Sequence, residues 1–297
     1  MPLEAYAVTG DTYTRCARAH DVITTFEDSN SANRRKRSIV IPTVCVGNVA
    51  QLAIDLLLTG IRQRVDHVAM LRHPLVLPCF GVNPYSGQRN PQQEGRGIAS
   101  HAAHPMDLYR IGMSEQGTGA DSDAEVYVVQ QRAPASTGCQ AAFSVDLMAW
   151  VREAGFDEVW ILGSLSAEYR KDKDLVSGED VKFVGEVSAM AARCEGAGLS
   201  RLGAEYGEIQ DSEEVNMPWA LLKAAGMARV PGMGDGGAEA AEAAEAPEVG
   251  GVPAAGVLRF VMEGDNRMDA VIMAKAVGQL LGVEVSVQSM PSSWAVE

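Results

Sequence analysis

The chain lacks most of the features that announce a particular chemistry. Its five cysteines, Cys16, Cys45, Cys79, Cys139 and Cys194, are odd in number and lie 29 to 60 residues apart. Neither a zinc knuckle nor a disulfide framework fits that spacing, and a reducing compartment is expected. Basic residues are outnumbered 25 to 39, which leaves a net charge of −14. Nucleic acids and anionic membranes are bound through clustered Lys and Arg, so this balance argues against both as partners. No apolar run approaches the ~18 residues of a membrane-spanning helix. The best, Ser38–Ile54, is interrupted by Pro42, Gly47, Asn48 and Gln51. The first residues carry no charged-then-apolar signal pattern. The glycine signatures of dinucleotide sites, P-loops and nucleophile elbows are also missing. What the chain does have is length and ordinary hydrophobicity: 297 residues, 46% of them apolar. That is enough to bury a sizeable core without a covalent or metal staple.

Residues 1–37 are mixed and weakly periodic, and they are left as an unassigned extension. They end in Asn33-Arg34-Arg35-Lys36-Arg37, read as a solvated linker, with a nuclear import signal as the functional alternative. Ser38–Val46 is β-branched and apolar without alternation, the pattern of a strand covered on both faces. Gly47-Asn48 breaks the run. Val49, Leu52, Ala53, Leu56 and Leu57 then recur at helical spacing, with Asn48 as the expected N-cap. Strands are predicted at His67–Met70, Leu75–Leu77, Glu125–Gln131, Glu158–Leu162 and Val181–Val184, and order returns at Gly256, where Val257, Leu258, Phe260, Val261 and Met262 precede Glu263-Gly264-Asp265-Asn266. Helices are predicted around Phe143–Val151, closed by Gly155, then over Met217–Val230 and Ala270–Leu281. Val283, Val285 and Val287 alternate like one more strand. Two polar segments interrupt the alternation. Ser86–Asp123 is expected to be an extended surface loop, and Gly232–Ala255, in which 20 of 24 residues are Ala, Gly, Glu or Pro, is expected to be disordered. The alternation of strand and helix predicts an α/β fold, with one domain over 38–297 built on a mainly parallel sheet flanked by helices.

Reactive constellations are hard to find. His101 and His104 have helical i, i+3 spacing, but only alanines lie between them, Pro105 follows and no third ligand is in sight, so they read as exposed loop histidines. Ser164 and Ser166 follow a strand, where open α/β sheets hold ligands. They sit in no Gly-x-Ser-x-Gly turn and have no candidate base nearby. Gly47-Asn48 at a helix start could meet an anion; one glycine points more simply to a cap. Glu263, Asp265 and Asn266 are read as capping the helix that follows. Trp150, Trp160, Trp219 and Trp294 are read as core in preference to docking anchors. No cofactor or metal is expected, and the pattern favours a binding protein over an enzyme.

Several uncommon words then occur in a fixed order. Val44-Cys45-Val46-Gly47-Asn48-Val49-Ala50-Gln51-Leu52-Ala53-Ile54-Asp55-Leu56 resembles the Val-Gly-Asn-Val-Gly-Gln-Leu-Ala-x-Asp-Leu segment of the proteasome assembly chaperone 2 family. Gly81-Val82-Asn83-Pro84-Tyr85, Ala124-Glu125-Val126-Tyr127, Phe260-Val261-Met262-Glu263-Gly264-Asp265-Asn266 and Pro291-Ser292-Ser293-Trp294 agree in the same order. A serine-rich loop followed by Tyr169-Arg170 lies between them. The resemblance spans about Ser38 to Trp294. It implies a fold similar to that of nucleoside phosphorylases with the chemistry lost. It also implies a heterodimer with proteasome assembly chaperone 1 that holds proteasome α subunits while their ring forms and discourages α-ring dimers, in the cytoplasm and nucleus. The positions it marks as structural or partner-facing are Gly47, Asn48, Gln51, Asp55, Asn83, Pro84, Tyr85, Glu263, Gly264, Asp265, Asn266, Pro291, Ser292, Ser293 and Trp294. The hydrophobic-Tyr-any tail of some relatives is replaced by Ala295-Val296-Glu297, so tail insertion into α-subunit pockets falls to the partner. The rival expectation is a nucleoside- or phosphate-binding α/β enzyme of phosphorylase type, motivated by the α/β pattern and by Ser164 and Ser166.

Overall fold

The structure is a computed structural model. It describes residues 2–9, 12–24, 35–61, 65–81, 85, 102–112, 125–177, 181–185, 187–203, 205–206, 216–227 and 251–286. Ten strands and seven α-helices are assigned among them. In chain order they are β1 (Glu4–Thr9), β2 (Thr12–Arg15), α1 (Ala19–Thr24), β3 (Arg37–Pro42), α2 (Val49–Gly60), β4 (Val65–Arg72), β5 (Met106–Ile111), β6 (Glu125–Gln131), α3 (Gln140–Ala154), β7 (Glu158–Ser166), α4 (Asp172–Ser177), β8 (Val181–Gly185), α5 (Ser188–Gly196), β9 (Ser200–Arg201), α6 (Asn216–Ala224), β10 (Ala254–Val261) and α7 (Arg267–Leu281).

All ten strands join one sheet, in the order β2-β1-β4-β5-β6-β3-β7-β10-β8-β9. Its two faces carry separate cores. Side chains alternate across a strand, so Ile39 and Ile41 of β3 meet α1, α3 and α6 on one face. Val40 meets α2, α5 and α7 on the other. The result is a three-layer α/β/α sandwich in which every residue of β3, β8 and β10 is buried. Trp160 and Trp219 are fully buried and Trp150 nearly so.

The sheet corrects the expectation of a mainly parallel, phosphorylase-like fold. Four neighbouring strands, β6, β3, β7 and β10, do run parallel. Of these, β3 is the run whose unbroken apolar character pointed to burial on both faces. Beyond them the chain turns back on itself. Among the described residues five pairings are antiparallel (β1–β2, β1–β4, β4–β5, β5–β6 and β8–β10), against four parallel ones. The sheet is mixed, and its antiparallel half comes from segments with weak sequence signals.

Two of those segments were left out of the predicted sheet. The first 24 residues supply β1, β2 and α1, although their apolar residues follow no strong period. Strand β5 lies inside the stretch expected to be a polar loop. Its sequence, MDLYRI, puts Asp107 and Arg110 among apolar neighbours, which hid a strand that is buried at five of its six positions. The basic run ends in structure as well. Arg37 is buried in β3, and Lys36 pairs with Glu158 at 2.7 Å. Leu75–Leu77 makes only a single bridge, from Val76 to Ala135, and Val285 likewise bridges only to Ile61. The predicted helix at Met217 ends by Ala224, and α7 begins slightly before Ala270. Most of Gly232–Ala255 lies outside the described residues; its last two residues open β10.

Candidate functional site

Strand β4 is antiparallel to β5, and β5 is antiparallel to β6. Strand β4 therefore points the same way as the parallel four. The carboxyl ends of β4, β6, β3, β7 and β10 form one edge, the edge at which open α/β sheets usually present ligand sites. Most of the residues singled out from the sequence and described by the structure gather there, in two groups.

The first group joins the turn after β3 to the turn after β10. Gly47 and Asn48 both take left-handed backbone angles, φ 67° and 53°, and Asn48 is the one non-glycine residue with positive φ among those described. A Cβ at Gly47 would overlap the side-chain amide of Asn266. Glycine is required by space as well as by φ, and two motifs more than two hundred residues apart in sequence are in contact. Neither asparagine caps its helix through its side chain. Asn266 instead donates from Nδ2 to the Gly264 carbonyl at 3.0 Å. Asp265 accepts from the Arg267 amide at 3.2 Å and from its guanidinium at 2.8 Å. The capping expected of Asn48 and Asn266 is thus replaced by turn geometry, and only Asp265 bonds toward the helix start.

Beneath this turn lie the two serines that raised the enzyme reading. Ser164 is fully buried. Its hydroxyl donates to the Val46 carbonyl at 2.5 Å, and its amide donates to the Cys45 sulfur at 2.9 Å. Burial pushes the Cys45 thiol pKa up, against the hydrogen bonds from Ser164 and Thr43 that pull it down. Ser166 accepts from the Glu168 amide at 3.3 Å and so closes a short turn. A nucleophile needs a partner base and access to substrate; Ser164 has a committed hydroxyl and no exposure.

The second group centres on Asp55 of α2. One carboxylate oxygen accepts from the Tyr85 hydroxyl at 2.5 Å, from Gln130 Nε2 at 2.6 Å and from Arg132 Nη2 at 3.0 Å. Gln130 also donates to the Gln51 carbonyl at 3.0 Å. The Arg132 guanidinium lies 5.6 Å from the Tyr85 ring centroid. Burial pushes the Tyr85 pKa well above its ordinary value, and the Asp55 charge adds to the rise. Gln51, Asp55 and Tyr85 are therefore brought together, and Gln130 and Arg132 join them unannounced. The available signal was two polar residues, i and i+2, at the end of an apolar strand, which places both on one face.

A third polar cluster involves His104, expected to be an exposed loop histidine. It is buried. Asp107 Oδ1 is bonded to His104 Nδ1 at 2.9 Å and to His67 Nε2 at 3.0 Å. Burial alone would raise the Asp107 pKa, but the hydrogen bonds from His104 and His67 bring it down to about 2. No group of three His, Cys, Asp or Glu side chains converges as metal ligands among the described residues. His101, Asn83, Pro84, Pro291, Ser292, Ser293 and Trp294 lie outside those residues.

The carboxyl edge presents several large apolar side chains outward, beside the exposed Glu263 and Asp265. Phe80 is 75% exposed beyond β4, Val176 89% and Leu175 59% on α4, Met262 74% after β10, and Met268 66% on α7. Leu175 and Met262 border an open pocket whose walls include Arg170, Arg259 and Asn266. Large apolar side chains at one edge, without reactive groups among them, suit protein contact more than chemistry. No helix among the described residues is long and apolar enough to cross a membrane.

Proteasome assembly chaperone 2 of Danio rerio is 24% identical over 263 residues, covering 86% of this chain and 89% of the relative. The Nematostella vectensis protein of the same name is 27% identical over 158 residues, 53% of this chain and 57% of the relative's own length. Among solved structures, Pyrococcus furiosus PbaB, described as an archaeal proteasome activator, shares the fold with a TM-score of 0.52 at 14% identity, over 88% of this chain and 90% of that one. A protein of unknown function from Thermoplasma acidophilum has the same TM-score, 0.52, at 12% identity, over 89% and 83%. The model of the PAC2 family matches residues 39–292, from the second residue of the buried strand's apolar run into the last sequence motif, and on that match the chain belongs to the PAC2 family, a non-catalytic class.

Proposed function

We propose that this chain is a chaperone of proteasome core-particle assembly. It pairs with proteasome assembly chaperone 1, and the heterodimer scaffolds α-ring formation and prevents off-pathway α-ring dimers. The observation that carries this reading is the match to a proteasome assembly chaperone 2 along nearly the whole of both chains. The geometry supports it: the candidate nucleophile is buried and committed, while the carboxyl edge offers exposed aromatic and aliphatic side chains of the kind that anchor interfaces. Such a protein acts through contact area, and a stable pair buries about 1,200–2,000 Å². It works in the cytoplasm and nucleus, which fluorescence microscopy of the tagged chain checks.

The test is co-purification. A tagged chain brings down the paired chaperone and free α subunits, and α-ring intermediates are lost from cells without it. Recovery of the chain alone, with α-ring formation unchanged in rate and fidelity on its deletion, overturns the reading.

A further inference from the structure

Helix α4 is attached differently from the other α-helices described. Each of those buries apolar side chains in one of the two cores; α4 buries none. Its Lys173, Leu175 and Val176 face outward, and the side chain it turns inward is a carboxylate, Asp174, which is 5% exposed. Asp174 Oδ1 accepts from Lys182 Nζ of β8 at 2.7 Å, and Oδ2 accepts from the Tyr206 hydroxyl. Lys182 is itself buried and also donates to Ser200 Oγ at 2.8 Å. The same Tyr206 oxygen accepts from the Lys171 amide at 3.0 Å, and Arg170 Nη2 donates to the Asp174 carbonyl at 2.8 Å. Lys173 pairs with Glu205 at the surface. Water competes well for an exposed ion pair and poorly for a buried one. The grip on α4 therefore centres on Asp174. A helix seated on apolar side chains lets go only as the core comes apart; one held by a buried carboxylate can let go by itself.

We propose that residues 167–177 are a strap latched at the carboxyl edge by Asp174, and that the strap swings open as a unit, uncovering Lys182, while the sheet beneath stays folded. Ala167, Arg170 and Leu175 line the pocket beside the turn from β10 into α7. Opening removes that wall of the pocket and carries Leu175 and Val176 away with it. The strap is a property of the fold and does not depend on the assembly reading above.

The experiment compares the full-length wild type with Asp174→Asn and with Asp174→Asn/Lys182→Met. The double variant withdraws both charges together and decides the matter where the single one folds poorly. Asp172→Asn, at an exposed acid of the same helix, is the control. Hydrogen exchange over 167–177 and tryptic cleavage after Lys171 and Lys173 report opening. Both are expected to rise about ten-fold or more in the two Asp174 variants and not in the control, with β7 and β10 as protected as in the wild type. Lys182 of Asp174→Asn is expected to be acetylated by acetic anhydride about ten-fold faster than in the wild type. Unchanged exchange over 167–177 in the folded double variant overturns the latch. An equal rise across β7 and β10 would show that the helix parts only with the core. Lys182 shielded while 167–177 exchanges freely would show fraying in place of a swing. Either result overturns the strap.

Discussion

Asp55 is the buried acceptor on which the second group at the carboxyl edge converges. Three donors converge on one of its oxygens, and it sits on a helix whose neighbouring positions are apolar. Replacing Asp55 with Ala takes from a partly buried guanidinium and a buried phenol the carboxylate they share, and leaves the Gln130 amide the Gln51 carbonyl. Removing one partner of a buried charge pair costs about 3–5 kcal/mol. Asp55→Ala is therefore expected to lower the denaturation midpoint strongly, and Tyr85→Phe, which removes one charged hydrogen bond, by about 1.5–3 kcal/mol. Urea titration of the two variants checks both the order and the gap. Gly47 offers a second test at the same scale. Gly47→Ala meets the Asn266 amide and a left-handed backbone together. It should cost about 2–4 kcal/mol in all. Truncating Asn266 to Ala clears the space but leaves the φ strain. The double variant is then less damaged than the sum of the single ones by about 1–2 kcal/mol. Strict additivity would show that the two turns do not touch.

At the scale of elements, Glu158 ties three together. It starts β7, and its carboxylate pairs with Lys36 just before β3 and with Arg193 of α5 at 2.7 Å each. It also accepts from Ser38 at 2.6 Å and from Trp160 Nε1 at 3.0 Å. Burial works to raise its pKa, but the hydrogen bonds from Lys36, Ser38 and Arg193 win and bring it from 4.5 down to about 2. The folded pKa lies below the unfolded one, so the fold favours the ionised form. That contribution, about 3 kcal/mol, is fully present above pH 4.5 and is lost as the pH falls toward 2. Asp107, lowered to about 2, adds in nearly the same window. Stability of the wild type measured from pH 6 down to pH 2.5 should fall steeply, and Glu158→Gln, less stable at pH 6, should fall less. Parallel curves would mean that Glu158 is not preferentially ionised in the folded protein. Elements such as β3, β7 and α7 were legible because their apolar periodicity is strong. The charged residues that join them were not, because an acid at the start of a strand looks the same whether it faces water or two cations.

Across the whole molecule, legibility divides along the sheet. The parallel centre could be read because burial on both faces forces an unbroken apolar run. Of the antiparallel strands, β4 and β8 were expected at His67–Met70 and Val181–Val184, but β1, β2 and β5 were not. Strand β2 is short and mostly exposed, β1 has Val8 as its one β-branched apolar residue, and β5 holds an aspartate whose partners are His104, three residues before it, and His67 on β4. The gathering of motifs at one edge was invisible for the same reason: Gly47 and Asn266 meet only because β3 and β10 end on the same side. That edge also bears the most exposed large apolar residues of the described molecule, Val176 and Phe80. The two can be separated from folding. Val176 is 89% exposed, and Phe80, at 75%, has an edge contact to His104 at 5.9 Å. Val176→Asp should leave stability within about 0.5 kcal/mol of the wild type, and Phe80→Ser within about 1 kcal/mol. If the edge is where the paired chaperone or the α subunits dock, at least one of these changes weakens capture about ten-fold or more, because exposed aromatic and aliphatic anchors carry a disproportionate share of interface energy. Calorimetric melting and quantitative pull-down on the same preparations give the two answers side by side. Full capture by both well-folded variants would move the docking face away from the carboxyl edge, to the helix layers that flank the sheet.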